Sequence, residues 1–408
     1  MKTKKRKNNG RDSYTLFSEE NIAGRKTKNR LIRSATFEAA ANGDGTITDA
    51  YINLHRTLAR GGVGTIITGL MAVAENARGM HNQVGAWGDH HIFGLKNVTD
   101  AVHGEASDTL IFAQIAHAGR NVPSKSNLSE PVGPSEVPSP LLKRQARELS
   151  VEEIEEITEG FADAIFRVRE AGFDGVQLHG AHGYLISSFL SPYTNRRTDR
   201  FGGSPENRAR IVSDIVSSGR KRVGSDFPIL IKMNADDFVP GGVNIDTFPD
   251  LAKQVEAAGV DAIEVSGGTW DCLARSEKEL GFFPVPFADS RIRIDDPARQ
   301  SYFLPYTESL DLKIPVILVG GHRSVERMED ILNNNSIDFL SISRPLISEP
   351  DLPNRWRTGI GPQTPRCVSC NGCYLTINKG PTSCLWPKKI THVMARKVVP
   401  HTWKLLFN

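Results

Sequence analysis

The sequence predicts an α/β fold: one (β/α)8 barrel, the TIM-barrel architecture, followed by a short C-terminal extension that carries cysteines. Three observations predict it. Between about residues 29 and 345, eight short apolar or β-branched runs recur, and helical patterns separate most of them. Runs that are apolar throughout imply strands buried on both faces, and their alternation with helices implies parallel pairing. Nearly every run also ends in a polar or glycine-rich cluster, as expected when one rim of a closed barrel binds a large polar ligand. A doubly wound open sheet is the competing arrangement, but no G-x-G-x-x-G turn follows any of the runs.

Taken in order, residues 1–14 read as a basic, solvated tail. Five positive charges fall at Lys2, Lys4, Lys5, Arg6 and Lys7, which more than account for the net charge of +3. The remainder is slightly acidic, so no broad basic surface for nucleic acid is expected. Residues 15–360 form the barrel. Its predicted strands are Leu31–Thr36, Gly64–Thr68, Leu110–Ala116, Gly175–Leu178, Ile229–Met233, Ala262–Val265, Val316–Val319 and Phe339–Ile342. The clearest helix follows Ser150, an N-cap with Glu153 three residues on; Ile154, Ile157, Phe161, Ala164, Ile165 and Val168 form its apolar face, and Gly172 closes it. The proline-rich connection from Arg120 to Leu149 is too long for a plain barrel loop and reads as a lid or a substrate-shaping excursion. Residues 361–408 form the extension.

No apolar stretch reaches the ~20 residues a membrane helix needs. No apolar segment follows the basic N-terminus, so a secretory leader is not expected. Crowding of four cysteines between Cys367 and Cys384 also points to a reducing compartment, hence a cytoplasmic protein acting on a small molecule. Trp403, Leu405, Leu406 and Phe407 near the end read as packing on the barrel or on a partner chain, which leaves a homo-oligomer open.

The strand ends carry the chemistry. After the seventh run, "VGGHRS" offers Gly320 and Gly321, whose backbone N–H groups suit an anion. After the eighth, Ser343 precedes Arg344, a forked donor suited to phosphate. The fourth run ends in His179, Gly180, His182, Gly183 and Tyr184. Two imidazoles in one turn suit either a zinc or iron site or a pair of donors to a carbonyl oxygen. A tyrosine, ordinarily protonated at neutral pH, suits a general acid. Reduction of an activated alkene fits these parts once a redox cofactor supplies hydride.

The stretch "FDGVQLHGAHGYLISSFLSPYTNRRTDRFGGSPENRARI", with "FAQIAHAGR", "GGVGTIITG", "VILVGGHRS" and "SISRPLISEPDLPNRW", resembles the Old Yellow Enzyme family of flavin-dependent NAD(P)H oxidoreductases. That resemblance implies noncovalent FMN across the barrel rim and NAD(P)H as co-substrate. It implies that Ser34, Ala35 and Thr36 line the flavin, that Gln114 bonds its pyrimidine edge, and that Gly320, Gly321, Ser343 and Arg344 hold its phosphate. His179 and His182 would anchor a substrate oxygen, with Tyr184 as proton donor to an α,β-unsaturated carbonyl. Two positions depart from the pattern. Lys232 stands where many relatives carry arginine, and would stabilise negative charge on the reduced flavin as a point charge. Phe37 stands where many place a threonine or cysteine.

Cys367, Cys370, Cys373 and Cys384 read C-x2-C-x2-C-x10-C, a set suited to [4Fe–4S] or structural zinc, or left as free thiols. Their position is similar to the iron–sulfur segment of larger relatives, the 2,4-dienoyl-CoA reductases and trimethylamine dehydrogenase. The chain ends at Asn408, so the further nucleotide-binding half of those relatives is not expected in it. A barrel acting with FMN and iron–sulfur on an amine or dienoyl thioester is one alternative. A catalytically idle scaffold is the other.

Overall fold

The computed structural model describes residues 10–123, 128–283, 290–292, 294 and 296–385. Eight parallel strands close the barrel: β1 Leu31–Arg33, β2 Thr65–Ile67, β3 Leu110–Ala116, β4 Gly175–Gly180, β5 Ile229–Asn234, β6 Ala262–Ser266, β7 Val316–Val319 and β8 Phe339–Ile342. Closure comes from β8 against β1, with Leu340 opposite Leu31 and Ser341 opposite Ile32. Each expected strand is present, though β1 ends at Arg33 and Ser34, Ala35 and Thr36 belong to the rim loop.

Outside the sheet pack α1 Asp49–Arg60, α2 Ile92–Glu105, α3 Val151–Glu170, α4 Pro205–Val223, α5 Phe248–Ala257, α6 Val325–Asn334 and α7 Leu352–Thr358. The expected capping box opens α3: Glu153 N–H donates to Ser150 Oγ at 3.2 Å and Ser150 N–H to Glu153 Oε2 at 2.8 Å. Between β6 and β7 the described residues hold only short helical pieces, Trp270–Ala274, Glu277–Leu280, Pro297–Arg299 and Leu304–Thr307. Prolines recur through that segment, and each removes a backbone donor a longer helix needs.

Side chains alternate across each strand, and this sorts the interior into layers. The lowest layer is apolar: Ile32, Ile67, Phe112, Leu230, Ala262, Ile317 and Phe339, stoppered by Ile22 from the hairpin of Glu20–Ile22 and Arg25–Thr27. Two residues further along the strands the layer turns polar, with Ser34, Gln114, Gln177, Lys232, Glu264 and Ser341 all buried. The strand bodies are therefore not apolar throughout.

One boundary expectation changes. Arg11 is already part of the folded body: its backbone N–H donates to Arg357 O at 2.7 Å and its guanidinium pairs with Glu326. The basic run before it lies outside the described residues. The described part of the connection after Arg120 is bonded to the rest of the barrel. Arg197 donates to Pro134 O and Leu149 O, Arg196 N–H donates to Ser135 Oγ, and Ser139 Oγ donates to Asp271. Arg120 itself is consumed by a buried ion pair with Asp271. No helix among the described residues is long and apolar enough to cross a membrane.

Candidate active site

At the C-terminal rim a cleft opens to solvent. It gathers Ala35, Thr36, Gln114, His179, His182, Tyr184, Lys232 and Ser343, eight of the predicted site residues, with Phe37, Leu70, Met80, Trp270, Tyr374 and Ile377. Gln114 and Lys232 form part of its floor. Gln114 Nε2 donates to Gln177 Oε1 at 2.8 Å, and Gln177 Nε2 to Glu264 Oε2 at 2.8 Å. The other Glu264 oxygen accepts from Ser34 Oγ and Ser341 Oγ, each at 2.7 Å, and pairs with Lys232 Nζ at 3.0 Å. Lys232 also donates to Ser34 Oγ at 2.8 Å. Ser34 thus supports Lys232 within the floor layer and is not among the residues that line the cleft. Burial works to raise the Glu264 pKa, but the Lys232 charge and the Ser341, Ser34 and Gln177 bonds outweigh it and hold the carboxylate ionised.

The histidine turn is held by its backbone. His182 sits at φ 62°, a left-handed conformation that needs outside support. Its N–H donates to Asn234 Oδ1 and its carbonyl accepts from Asn121 Nδ2, both at 3.0 Å. Its ring Nε2 and Ser266 Oγ lie 2.8 Å apart. Burial, with the Lys232 charge adding, pushes the His182 pKa well below the usual value, so the ring is neutral at pH 7. Ala181 N–H donates to His179 Nδ1 at 3.4 Å, which makes that nitrogen an acceptor. His179 lies edge-on to His182 with ring centres 5.1 Å apart, and 4.6 Å from the Tyr184 ring. Among the described residues no three His, Cys, Asp or Glu side chains converge as a metal ion needs, so the metal alternative for the two histidines is not assembled.

Gly320, Gly321 and Arg344 are adjacent to this cleft but do not line it. Gly321 has φ 80°, and a Cβ there would lie 2.7 Å from Ile294 Cδ1 and 2.9 Å from Tyr302 Cε1. Arg344 is buried; it donates to Arg291 O at 2.9 Å and to Asn371 Oδ1. Arg323 stands near it, its pKa drawn down by burial and by the Arg344 charge, with Cys367 opposing. Two neighbouring guanidiniums beside a glycine turn are a donor set that an anion would stabilise. Together with the amide and ammonium of the floor, they fit a phosphorylated, electron-accepting ring system such as FMN.

The extension lies across the cleft. Tyr374 and Ile377 enter its wall, Asn82 Nδ2 donates to Ile377 O at 2.9 Å, and Thr382 Oγ1 donates to Phe37 O at 2.7 Å. Cys367, Cys370, Cys373 and Cys384 are neighbours, the other three all acting on the Cys373 thiol, and among the described residues no three His, Cys, Asp or Glu side chains are placed as a metal ion needs. Arg323 Nη2 approaches Cys367 Sγ at 3.5 Å, and Gly372 N–H donates to Cys370 Sγ at 3.4 Å. Burial, partly offset by Arg344 and reinforced by the other three thiols, pushes Cys373 up to about 12. Five of the cleft's residues carried no sequence signal as site residues: Leu70, Met80, Trp270, Tyr374 and Ile377. Gln177 and Glu264 were detectable, as polar residues at inward positions of apolar strands.

Residues 15–363 match the NADH:flavin oxidoreductase / NADH oxidase family. An NADH oxidase of Thermoanaerobacter brockii is 37% identical over 363 residues, covering 88% of this chain and 53% of that protein. The chain thus spans about half the length of that curated relative. An NADPH dehydrogenase of Geobacillus sp. is 34% identical over 342 residues, covering 83% of this chain and 92% of that one. Among solved structures, a 2-naphthoyl-CoA reductase complex superposes with TM-score 0.81 at 27% identity, covering 91% of this chain and 56% of that chain. An Old Yellow Enzyme homologue from Zymomonas mobilis superposes with TM-score 0.70 at 26% identity, covering 87% and 95%.

Proposed function

The chain belongs to the NADH:flavin oxidoreductase / NADH oxidase family, and from that premise we propose that it reduces the electron-poor C=C bond of an α,β-unsaturated ketone or aldehyde at the expense of NAD(P)H. The observation that carries this reading is the convergence of His179, His182 and Tyr184 over a floor of Gln114 and Lys232 in one cleft. Bound FMN supplies the two-electron carrier. Ala35, Thr36, Gln114, Lys232 and Ser343 would hold its ring system, and Arg344 with the Gly320–Gly321 turn its phosphate.

The protein's own residues do the rest. His179 and a neutral His182 donate hydrogen bonds to the substrate carbonyl oxygen, drawing electrons from the conjugated bond. A neutral imidazole suits this because it polarises without leaving a cation buried beside Lys232. Tyr184 gives the proton that the α-carbon gains as the β-carbon gains hydride. Phe37, Leu70, Met80 and Trp270 exclude water and favour apolar substrates.

The test is anaerobic and spectroscopic. FMN-loaded protein should lose its flavin absorbance with NADH or NADPH and regain it on addition of cyclohexenone, with cyclohexanone as product. A flavin that NAD(P)H bleaches but no enone reoxidises overturns the substrate assignment.

A further inference from the structure

Resting on that alkene-reductase reading, we infer that Phe37 is a specificity-determining residue that limits the length of substrate the cleft accepts. Its ring packs with Leu70, Met80, Ala116 and Tyr184 on the cleft side. Beside the cleft lies a second cavity of about 300 Å³, walled mainly by Ala50, Leu54 and Leu58 of α1 and by Leu346, Ile347 and Pro350 after β8, with Arg33 and Glu38 in its polar part. Thr36 and Phe37 line both spaces. Phe37 is thus the apolar side chain at the boundary between the reaction cleft and a mainly apolar space large enough for an alkyl or aryl tail.

The backbone at this boundary is clamped from two directions. Above, Thr382 Oγ1 donates to Phe37 O at 2.7 Å and Thr382 N–H to Glu38 O at 2.8 Å. Below, the buried Glu38 carboxylate accepts from Gly69 N–H at 2.7 Å and pairs with Arg33 at 3.2 Å. Thr36 is fixed as well, through its 2.7 Å bond to Ser343 Oγ. With the main chain held, the Phe37 ring is the removable part of the partition. Truncating it joins the two spaces without displacing the floor of Gln114 and Lys232.

The experiment measures kcat/KM over straight-chain α,β-unsaturated methyl ketones of rising length, from pentenone to dodecenone. Wild-type values should fall as the chain lengthens. In Phe37→Ala the long-to-short ratio should rise about tenfold or more, the size expected when an apolar tail gains a pocket. Phe37→Leu, which keeps an apolar side chain, should move it less in the same direction. Adding Leu54→Trp to Phe37→Ala, which refills the second cavity from its far wall, should return the ratio towards wild type. A length profile that Phe37→Ala leaves parallel to wild type, or that Leu54→Trp does not reverse, overturns the inference while pentenone turnover still supports the alkene reading. Failure of wild-type protein to reduce any member overturns that reading, and the inference with it.

Discussion

Replacing Glu264 by glutamine tests whether the buried polar layer under the cleft is an ion pair with supporting donors. The carboxylate is fully buried. One oxygen takes Ser34, Ser341 and Lys232; the other takes Gln177. Glutamine has nearly the same shape but one acceptor oxygen, and its NH2 must face either the Gln177 amide donor or the cluster around Lys232. Either choice sets donor against donor, and the Lys232 charge loses its counter-charge inside the barrel. Removing one partner of a buried pair costs about 3–5 kcal/mol. With urea m values of about 1–3 kcal/mol/M or more, the unfolding midpoint should fall by roughly 1 M. Because the remaining cation and its donors underlie the flavin floor, FMN retention should weaken in the same variant. Lys232→Met combined with Glu264→Gln removes the stranded charge and should recover most of the loss, to within about 1–2 kcal/mol of wild type. The measurement is urea unfolding of the FMN-free protein at pH 7, followed by far-UV circular dichroism. A Glu264→Gln midpoint equal to wild type, or a double variant no more stable than the single one, refutes the account of the floor.

Tyr184→Phe keeps the ring beside His179 but removes the proton; enone-driven flavin reoxidation should slow by about 100-fold or more, and flavin reduction by NAD(P)H far less. Equal losses in the two half-reactions, read by stopped-flow absorbance, would show that the phenol is not the dedicated acid. Arg344→Ala should weaken FMN retention by about 2–4 kcal/mol if that guanidinium meets the phosphate; unchanged affinity by fluorescence titration rejects the assignment. His117 and His322 are buried and held at about 4 by desolvation, and His91 likewise by burial and by His90. Since the unfolded chain binds those protons near pH 6.5 and the folded one near 4, stability should drop as pH falls through that interval, by about 1–2 kcal/mol per histidine at pH 5. His103, raised by its bond to Asp174, works in the opposite sense. Thermal unfolding across pH 7 to 5 that shows no loss would mean these rings open to solvent readily.

The residues of this site differ in how far local sequence could reveal them, and the difference follows from where their partners lie. His179, His182 and Tyr184 fall within six residues, and the glycines between them announce a tight turn, so the motif is readable along the chain. The eight strands were readable for the same reason: β-branched runs and turn signals are local. Glu264 was not singled out, because "AIEVS" reads as an ordinary buried strand until closure brings Lys232, Ser341 and Gln177 from three other strands, and Ser34 from the loop after β1, to its carboxylate. Each of those residues obeys the two-residue alternation. A polar residue at that spacing in a strand otherwise buried on both faces is a signal in itself, since an unpaired charge there would cost more than the strand could recover. Arg344 shows the converse. Its type and position at a strand end point to phosphate, and in the folded chain its Nη1 also donates to Asn371 and to the Arg291 carbonyl, so the extension meets the same guanidinium. The cysteine segment is thereby tied to the flavin site through Asn371, Tyr374 and Ile377, three residues whose neighbours in sequence give no reason to expect them at a barrel rim.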